Sequence, residues 1–170
     1  MKAIAIVPQT TQVALIDRPE TMIKYPDEIK IKVLEVGICG TDREEVAGGR
    51  AKAPVSSNEL VIGHEMFGVV VETGSAVTRV QPGDYALFTV RRGCGICEAC
   101  LNGRSDMCYT GNYTERGIKG ADGYQAEFVV DKEEYVVKLP VAIKDIGVLT
   151  EPMSVAAKAI DEALMIQGAR

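Results

Sequence analysis

The chain has 170 residues, of which 46% are apolar and 25% are charged, and its formal net charge is −5. This composition is typical of a folded globular chain, and the acidic balance argues against the basic face that nucleic-acid binders need. No apolar run approaches the ~20 residues that a membrane-spanning helix requires.

The N-terminal segment indicates the compartment. Its apolar run ends at Pro8, which is too short for the core of a signal peptide. We therefore expect a cytoplasmic protein that interacts with neither nucleic acid nor membrane. In that reducing compartment, clustered cysteines act as metal ligands more often than as disulfides.

Short apolar segments separated by glycine, proline and aspartate turns follow one another over most of the chain. From position 28 to 33, charged and β-branched residues alternate, which is the two-residue period of a strand. Comparable runs predict further strands, and the whole set comprises residues 2–7, 28–37, 66–74, 84–90, 125–130 and 134–140. Strands at this spacing predict a mainly β domain, either an antiparallel barrel or a sandwich.

Two segments depart from the strand pattern. Residues 41–49 are expected to form one or two helical turns. Towards the C-terminus, apolar residues recur every three or four positions from Val155 to Leu164, which predicts an amphipathic helix over residues 151–170. Pro152 suits the first turn of that helix.

Four of the five cysteines lie within the segment Arg91–Cys108, and this segment predicts a metal site. Its spacing is C-x2-C-x2-C-x7-C, with ligands at Cys94, Cys97, Cys100 and Cys108. A closed set of four thiolates is a structural coordination of Zn²⁺. An iron–sulfur cluster and a redox or disulfide role are the alternatives, but the cysteine–proline ending of ferredoxin-type runs is missing. A closed zinc site has no open position for a substrate, so we expect this loop to be structural.

The remaining cysteine and the single histidine form a second candidate site. Either residue alone is more often a core residue than a ligand. Both Cys39 and His64, however, lie beside glycine and are followed closely by an acid. A catalytic zinc takes about three protein ligands of mixed type plus water, and the candidates for the third ligand are Glu65 and Glu151. We expect Asp42 to accept a hydrogen bond from the second ring nitrogen of the histidine.

Four segments carry a resemblance to a known family. They are GICGTD, GHEMFGVVVETGSAVTRVQPGD, RRGCGICEACLNGRSDMC and GIKGADGYQAEF, in this order within residues 1–160. The chain resembles the catalytic domain of the zinc-dependent medium-chain alcohol and polyol dehydrogenases, and within them the archaeal-type glucose (aldose) dehydrogenases. The resemblance implies a GroES-like β barrel over residues 1–150, with a structural-zinc lobe at residues 91–110. It also implies that residues 151–170 form a linking helix towards an absent Rossmann domain.

The resemblance further implies a mechanism for the second site. In that family a catalytic zinc binds the substrate hydroxyl and lowers its pKa as a Lewis acid, and hydride then passes to the nicotinamide of NAD(P). By motif match, Cys39 and His64 are zinc ligands here. Glu65 is a direct or an exchanging ligand, and Glu151 falls where many relatives place a third ligand.

Other residues match positions with known roles in the family. Thr41 matches the hydroxyl that relays the proton, and Asp42 matches the acid that orients the histidine. The alternative for both is a role in forming a turn, and for Asp42 also a helix cap. Glu115 resembles an acid that contacts sugar hydroxyls, with a solvated loop charge as the alternative. Val90 and Val155 depart from the glucose enzymes, which carry Asn and Asp there, so a less polar alcohol, a shorter polyol or another sugar is also a candidate substrate.

A G-x-G-x-x-G motif for a dinucleotide is missing from the 170 residues. We therefore expect the catalytic fragment of a longer, homo-oligomeric NAD(P)-dependent oxidoreductase that oxidises an alcohol, polyol or sugar hydroxyl. The fragment alone should be inactive. The alternative is a stand-alone zinc-binding GroES-like interaction domain without catalysis, which would have no use for Cys39, Thr41, Asp42 and His64 as a set.

Overall fold

Eleven strands and three α-helices make up residues 1–168, the part of the chain that the structure, a computed structural model, describes. The strands are β1 (Lys2–Ile6), β2 (Val13–Asp17), β3 (Glu28–Gly37), β4 (Leu60–Val61), β5 (Glu65–Thr73), β6 (Tyr85–Phe88), β7 (Arg91–Arg92), β8 (Thr114–Arg116), β9 (Gly120–Ala121), β10 (Phe128–Lys132) and β11 (Val136–Leu139). The helices are α1 (Gly40–Val46), α2 (Glu98–Leu101) and α3 (Thr150–Gly168), with short 3-10 helices at Ser105–Met107, Glu133–Tyr135, Val141–Ile143 and Gly147–Leu149. Within these residues, no helix combines the length and apolar character needed to cross a membrane.

The strands pair into three sheets. The largest is antiparallel, has the order β10-β3-β5-β6-β11, and is built around the long β3–β5 pair. A second sheet has the order β2-β1-β4, and a third places β8 between β7 and β9. The expected mainly β fold is therefore confirmed, as a set of open sheets.

Six predicted strands are confirmed, as β1, β3, β5, β6, β10 and β11. β3 covers the predicted residues, whereas β10 begins at Phe128 rather than at Gln125. The sequence does not predict β2, because most of its side chains are exposed and give no alternation. It does not predict β4, β7, β8 and β9 either, because each has only two or three residues.

The main core lies against the five-stranded sheet. It is made of aliphatic and aromatic side chains, among them Ile29, Ile31, Met66, Phe67, Val70, Phe88, Tyr124 and Val136. The opposite side of β3 is covered as well. Lys30 is only 5% exposed, pairs with Glu20 and lies 5.0 Å from the centre of the Phe128 ring. The charged positions of β3 are therefore not all turned towards solvent.

Both predicted helical segments are confirmed. The turn expected over residues 41–49 is α1, and the C-terminal amphipathic segment is α3, with Pro152 in its first turn. Residues 169 and 170 of the predicted helix lie outside the described residues. Most side chains of α3 are exposed, and the helix contacts β5 and the 3-10 helix that precedes it.

Ion pairs join α3 to the cysteine-rich lobe, which we define as residues 91–110. Arg104 Nη2 lies 2.9 Å from Glu162 Oε1, and Lys158 Nζ lies 3.2 Å from Asp106 Oδ2. Lys158 also pairs with Glu162, at 2.8 Å. These side chains are between 41% and 48% exposed, so solvent screens each pair and its contribution to stability is small.

Candidate metal centres

The first centre is the group of four cysteines in the lobe. Cys94 Sγ lies 3.8 Å from Cys100 Sγ. Cys97 Sγ lies 3.9 Å from Cys108 Sγ, and all four sulfurs are within 4.8 Å of one another. Sulfurs bound tetrahedrally at ~2.3 Å from one ion are about 3.8 Å apart. The donor set and its spacing therefore fit a closed structural zinc site.

Local backbone conformation brings these sulfurs together. Gly95 and Gly103 have positive φ values of 71° and 72°, a conformation that glycine adopts without steric penalty. Gly93 leaves room for the cluster, since a Cβ there would lie 2.7 Å from Cys100 Sγ. Cys97 is the N-cap of α2, and its amide donates to Cys94 Sγ at 3.4 Å.

The four thiols do not share one pKa. Hydrogen bonding, first from Thr110, lowers the pKa of Cys94 to about 5, whereas burial raises the pKa of Cys100 to about 12. Adjacent sulfurs ionise together only beside a cation, because their negative charges repel one another. The Sγ–Sγ distances of 3.8 and 3.9 Å are much longer than the ~2.05 Å of a disulfide bond and suit sulfurs that share one metal ion.

The second centre joins the end of β3 to the start of β5. Cys39 Sγ lies 3.0 Å from His64 Nε2, and these two atoms and a carboxylate oxygen of Glu65 lie within 4.8 Å of one another. The β3–β5 register pairs Gly37 with Glu65, so the paired strands deliver the side chains to one point. A Cβ on Gly37 would collide with the Glu65 carboxylate, which explains glycine at this position.

The donor set of the second centre differs in kind from that of the first. A sulfur, an imidazole nitrogen and a carboxylate oxygen are the mixed ligands of a zinc site that keeps one position open. His64 is buried, and its other ring nitrogen, Nδ1, lacks a hydrogen-bond partner in the described part of the chain. The residues present therefore fit a zinc ion that also binds an exogenous group.

Asp42 and Thr41 support this centre from the first turn of α1. Asp42 is buried, and its Oδ2 accepts a hydrogen bond from Cys39 N at 2.8 Å. Its Oδ1 faces His64 Nδ1 at 3.7 Å, which is too long for a hydrogen bond. Thr41 N donates to Cys39 Sγ at 3.2 Å, and Thr41 also lines the adjacent cleft. Asp42 thus caps the helix and faces the imidazole ring as well.

Glu151, the other candidate for the third ligand, lies in the first turn of α3 and lines the same cleft. Its carboxylate is not part of the close group formed by Cys39, His64 and Glu65. Burial raises the pKa of Glu151, and the charges of Glu65 and Asp42 raise it further while His64 opposes them. The structure therefore brings three of the four predicted ligands together and leaves Glu151 on the cleft wall.

A cleft of about 1170 Å³ opens beside the second centre. One of its walls carries Glu115, which lies on β8, is 7% exposed and pairs with Arg91 Nη2 at 2.6 Å. The alternative reading of Glu115 as a solvated loop charge is therefore wrong. Val90 and Val155 line the same cleft and give its wall an apolar part.

Arg50, Thr89 and Tyr135 also line the cleft, and the sequence pattern does not predict them. Thr89 is held by its carbonyl oxygen, which accepts hydrogen bonds from Tyr124 Oη at 2.7 Å and from Arg92 Nη1 at 2.6 Å. The contact with Tyr124 joins segments that are 35 positions apart in sequence, whereas Arg92 is a close neighbour of Thr89. None of the three lining residues belongs to a motif that could have identified it.

Glu45 on α1 is a buried acid that no motif accounts for. Neither of its carboxyl oxygens has a hydrogen-bond partner within residues 1–168. Burial, followed by the charge of Asp42, raises its pKa to about 8, and Arg50 opposes this shift. Glu45 is therefore largely protonated at neutral pH.

Glu45→Gln should stabilise the chain in mildly alkaline solution. The pKa of this carboxyl rises from 4.5 in the unfolded chain to about 8 in the folded chain. The protonated carboxyl therefore contributes stability that is fully present below pH 4.5, and this contribution is lost as pH rises through about 8. Glutamine does not ionise, so we expect a gain of about 1–4 kcal/mol in the free energy of unfolding at pH ~9. Urea unfolding from pH ~5 to ~9 measures it.

Glu44→Gln is the matched control for this prediction, since Glu44 is the exposed neighbour on the same helix. It should leave the dependence of stability on pH nearly unchanged, because the charge of Glu44 makes only the smallest contribution to the raised pKa of Glu45. If Glu45→Gln kept the same dependence as the parent chain, the assignment of a neutral buried carboxyl would be wrong.

Sequence comparison shows what this chain is similar to. The family profile described as "Alcohol dehydrogenase GroES-like domain" matches residues 25–141. The chain is 42% identical over 171 residues to a glucose 1-dehydrogenase of Methanocella arvoryzae, covering 98% of this chain and 47% of that protein. It is 40% identical over 171 residues to glucose 1-dehydrogenase 2 of Saccharolobus solfataricus, covering 98% and 46%.

Structural comparison agrees. The glucose dehydrogenase of Haloferax mediterranei in complex with NADP, Zn and gluconolactone superimposes with a TM-score of 0.90 at 37% identity, covering 100% of this chain and 47% of that one. Galactitol-1-phosphate dehydrogenase from Escherichia coli superimposes with a TM-score of 0.81 at 29% identity, covering 96% and 45%. This chain spans about half the length of the relatives that it matches.

Proposed function

This chain belongs to the alcohol dehydrogenase GroES-like domain family, and we propose that it is the catalytic domain of a zinc-dependent NAD(P) oxidoreductase. The reaction is oxidation of an alcohol, polyol or sugar hydroxyl by hydride transfer. One observation carries the proposal: Cys39, His64 and Glu65 converge beside a large cleft, separately from the closed group of four cysteines. The three-donor set leaves a coordination position for a substrate, as catalytic zinc sites do, whereas the set of four cysteines is closed, as structural zinc sites are.

The residues of the second centre have distinct roles in this reaction. Cys39, His64 and a carboxylate would hold a zinc ion, which when bound would supply Lewis-acid polarisation of the substrate hydroxyl. Thr41 lines the cleft, where its hydroxyl relays the proton that the substrate hydroxyl loses. Asp42 orients Cys39 through the hydrogen bond from its amide, and it places a carboxyl oxygen 3.7 Å from His64 Nδ1.

The domain organisation is also a proposal. Residues 1–150 form the catalytic domain, residues 91–110 form its structural-zinc lobe, and residues 151–170 link it to a coenzyme domain that binds NAD(P). Exposed apolar side chains on α3, among them Ile160 and Leu164, support a further domain, because such a surface is normally covered. The length of the matched relatives, about twice that of this chain, supports it as well.

The cleft and the relatives support a sugar or polyol as the substrate class. Several relatives are glucose 1-dehydrogenases, and one solved relative is in complex with gluconolactone. Glu115 offers an acceptor for sugar hydroxyls. Val90 and Val155 provide no hydrogen bond from their side chains, so we propose a sugar or polyol that needs fewer polar contacts than glucose, or a less polar alcohol.

We place this activity in the cytoplasm and in a homo-oligomer. Five free thiols suit a reducing compartment. On the lobe, Ile96, Leu101 and Tyr109 are exposed, and an apolar patch of this kind supports contact with a second copy of the protein.

The test compares the 170-residue chain with a longer form that carries the coenzyme domain. Both should bind two zinc ions per chain, but only the longer form should reduce NAD(P)⁺ with sugars or alcohols, because hydride transfer needs a bound coenzyme. Elemental analysis measures zinc, and the absorbance of NAD(P)H measures turnover. Robust turnover by the shorter chain would contradict the domain assignment. A single zinc ion that Cys39→Ala does not remove would favour the alternative, a stand-alone zinc-binding interaction domain.

A further inference from the structure

Arg91 joins the cysteine-rich lobe to a carboxylate that lines the cleft. Its Nη2 and Nε lie 2.6 and 3.2 Å from Glu115 Oε1, and its Nη1 donates to the carbonyl oxygen of Asp106 at 2.9 Å. The guanidinium also lies over the Tyr113 ring, 4.1 Å from its centre. One side chain therefore contacts both the lobe and the strand that carries Glu115.

Strand pairing and a 3-10 helix fix the positions of these groups. The β7–β8 register sets Arg91 directly opposite Glu115. Asp106 belongs to the 3-10 helix Ser105–Met107, which ends immediately before Cys108. Cys108 N donates to the carbonyl oxygen at the start of that turn, at 3.2 Å. The Asp106 carbonyl that holds Arg91 therefore lies in a turn that leads directly into Cys108, one of the four sulfur donors.

Arg91 is the one hydrogen-bond partner of the Glu115 carboxylate among residues 1–168. Both bonds end on Oε1, which leaves Oε2 available to a ligand in the cleft. Because Glu115 is 7% exposed, solvent cannot fully replace a lost guanidinium partner. Without Arg91, the Glu115 carboxylate could regain hydrogen-bond partners only if its side chain rotated or if strand β8 opened to solvent.

We propose that Arg91 is a positioning residue that holds the Glu115 carboxylate in the cleft when the four-cysteine lobe is closed around zinc. The lobe then sets a hydrogen-bond acceptor for the substrate, in addition to its structural role. The part of the proposal that concerns the substrate rests on the proposed function. The structural link between the lobe and Glu115 is independent of the proposed function.

Hydrogen–deuterium exchange in the purified chain tests the link. Amide exchange in residues 114–116 is measured with zinc bound and after removal of zinc by a chelator. Removal should speed exchange there about tenfold or more, because exchange reports local opening. In Arg91→Gln, exchange should already be fast with zinc bound, and removal of zinc should change it by less than about twofold.

Arg104→Gln is the matched control, because Arg104 lies in the same lobe and pairs with Asp106 and Glu162 rather than with Glu115. It should keep the parent response to zinc removal. Slow exchange in the core strand β3 verifies that each variant is folded. A parent-like response in Arg91→Gln would overturn the proposal. Full restoration by Arg91→Lys would overturn it too, since lysine keeps the charge but lacks the planar fork.

Steady-state kinetics of the coenzyme-bearing form separates positioning from general stability. With D-glucose as the probe, Arg91→Gln should raise KM about tenfold or more and change kcat by less than about threefold, because Glu115 binds hydroxyls that do not react. KM for cyclohexanol, which has a single hydroxyl, should be unchanged. Equal losses with both alcohols would overturn the positioning role. Absence of turnover by the parent enzyme with a panel of sugars, polyols and less polar alcohols would refute the proposed function, and the exchange measurement would still decide the link.

Discussion

Cys97→Ala should remove the zinc of the lobe and lower the melting temperature of the chain by about 10 °C or more. Cys97 is the most buried of the four cysteines, at 4% exposure, and its Sγ lies 3.9 Å from Cys108 Sγ. The helix that follows it, α2, buries none of its side chains, so the lobe has little core of its own. We therefore expect zinc binding to supply much of the folding free energy of the lobe. Elemental analysis and thermal unfolding followed by circular dichroism measure the two effects.

Two comparisons make this result specific to the lobe. Cys39→Ala removes a thiol from the other centre and should leave the zinc of the lobe in place. Treatment of the parent chain with a chelator should reproduce the lower melting temperature, and a reducing agent throughout prevents new disulfides. Full zinc content with an unchanged melting temperature in Cys97→Ala would show that the four cysteines do not form a structural zinc site.

Cys39→Ser should remove the catalytic zinc and reduce kcat/KM of the coenzyme-bearing form about 10³-fold or more, which corresponds to ~4 kcal/mol of transition-state stabilisation. Cys39 Sγ lies 3.0 Å from His64 Nε2, and a hydroxyl is a much poorer zinc ligand than a thiolate. The melting temperature should change by less than about 3 °C, because serine is a good N-cap and can accept the Thr41 amide bond. Kinetics, zinc analysis and thermal unfolding are measured on the same preparation.

Cys39→Ala separates ligation from helix capping. Alanine removes both the ligand and the cap, so it should lose the same zinc ion as serine and about 1 kcal/mol more of stability. Each variant should retain one zinc ion per chain, in the lobe. Near-normal activity in Cys39→Ser would be incompatible with Cys39 as a zinc ligand.

Features encoded within one segment are predictable from the sequence. β3 occupies the expected residues because its alternation, from position 28 to 33, lies within one continuous segment that ends at a glycine. The four-cysteine centre is predictable for the same reason, since its ligands share one short loop. Cys39 and His64 are 25 positions apart, and only their motif context and the acids beside them indicate that they meet.

Features that depend on distant segments are not predictable in this way. β7 and β8 are short, and they pair only because the fold brings together residues that are 24 positions apart in sequence, with Arg91 opposite Glu115. Nothing in the local pattern around Lys30 indicates that Phe128 covers it. The burial of Glu45 likewise follows from the packing of α1 against other segments, because helical periodicity gives no reason to bury a carboxyl group.

The attachment of α3 to the lobe responds to the salinity of the surroundings. Its ion pairs are exposed, and screening shortens the reach of such charges from about 8 Å at ~0.15 M salt to about 3 Å at ~1 M. The same helix carries Glu151 in its first turn, beside the cleft. High salt therefore weakens the ion pairs between α3 and the lobe, whereas the contacts of the helix with β5 and with the preceding 3-10 helix remain.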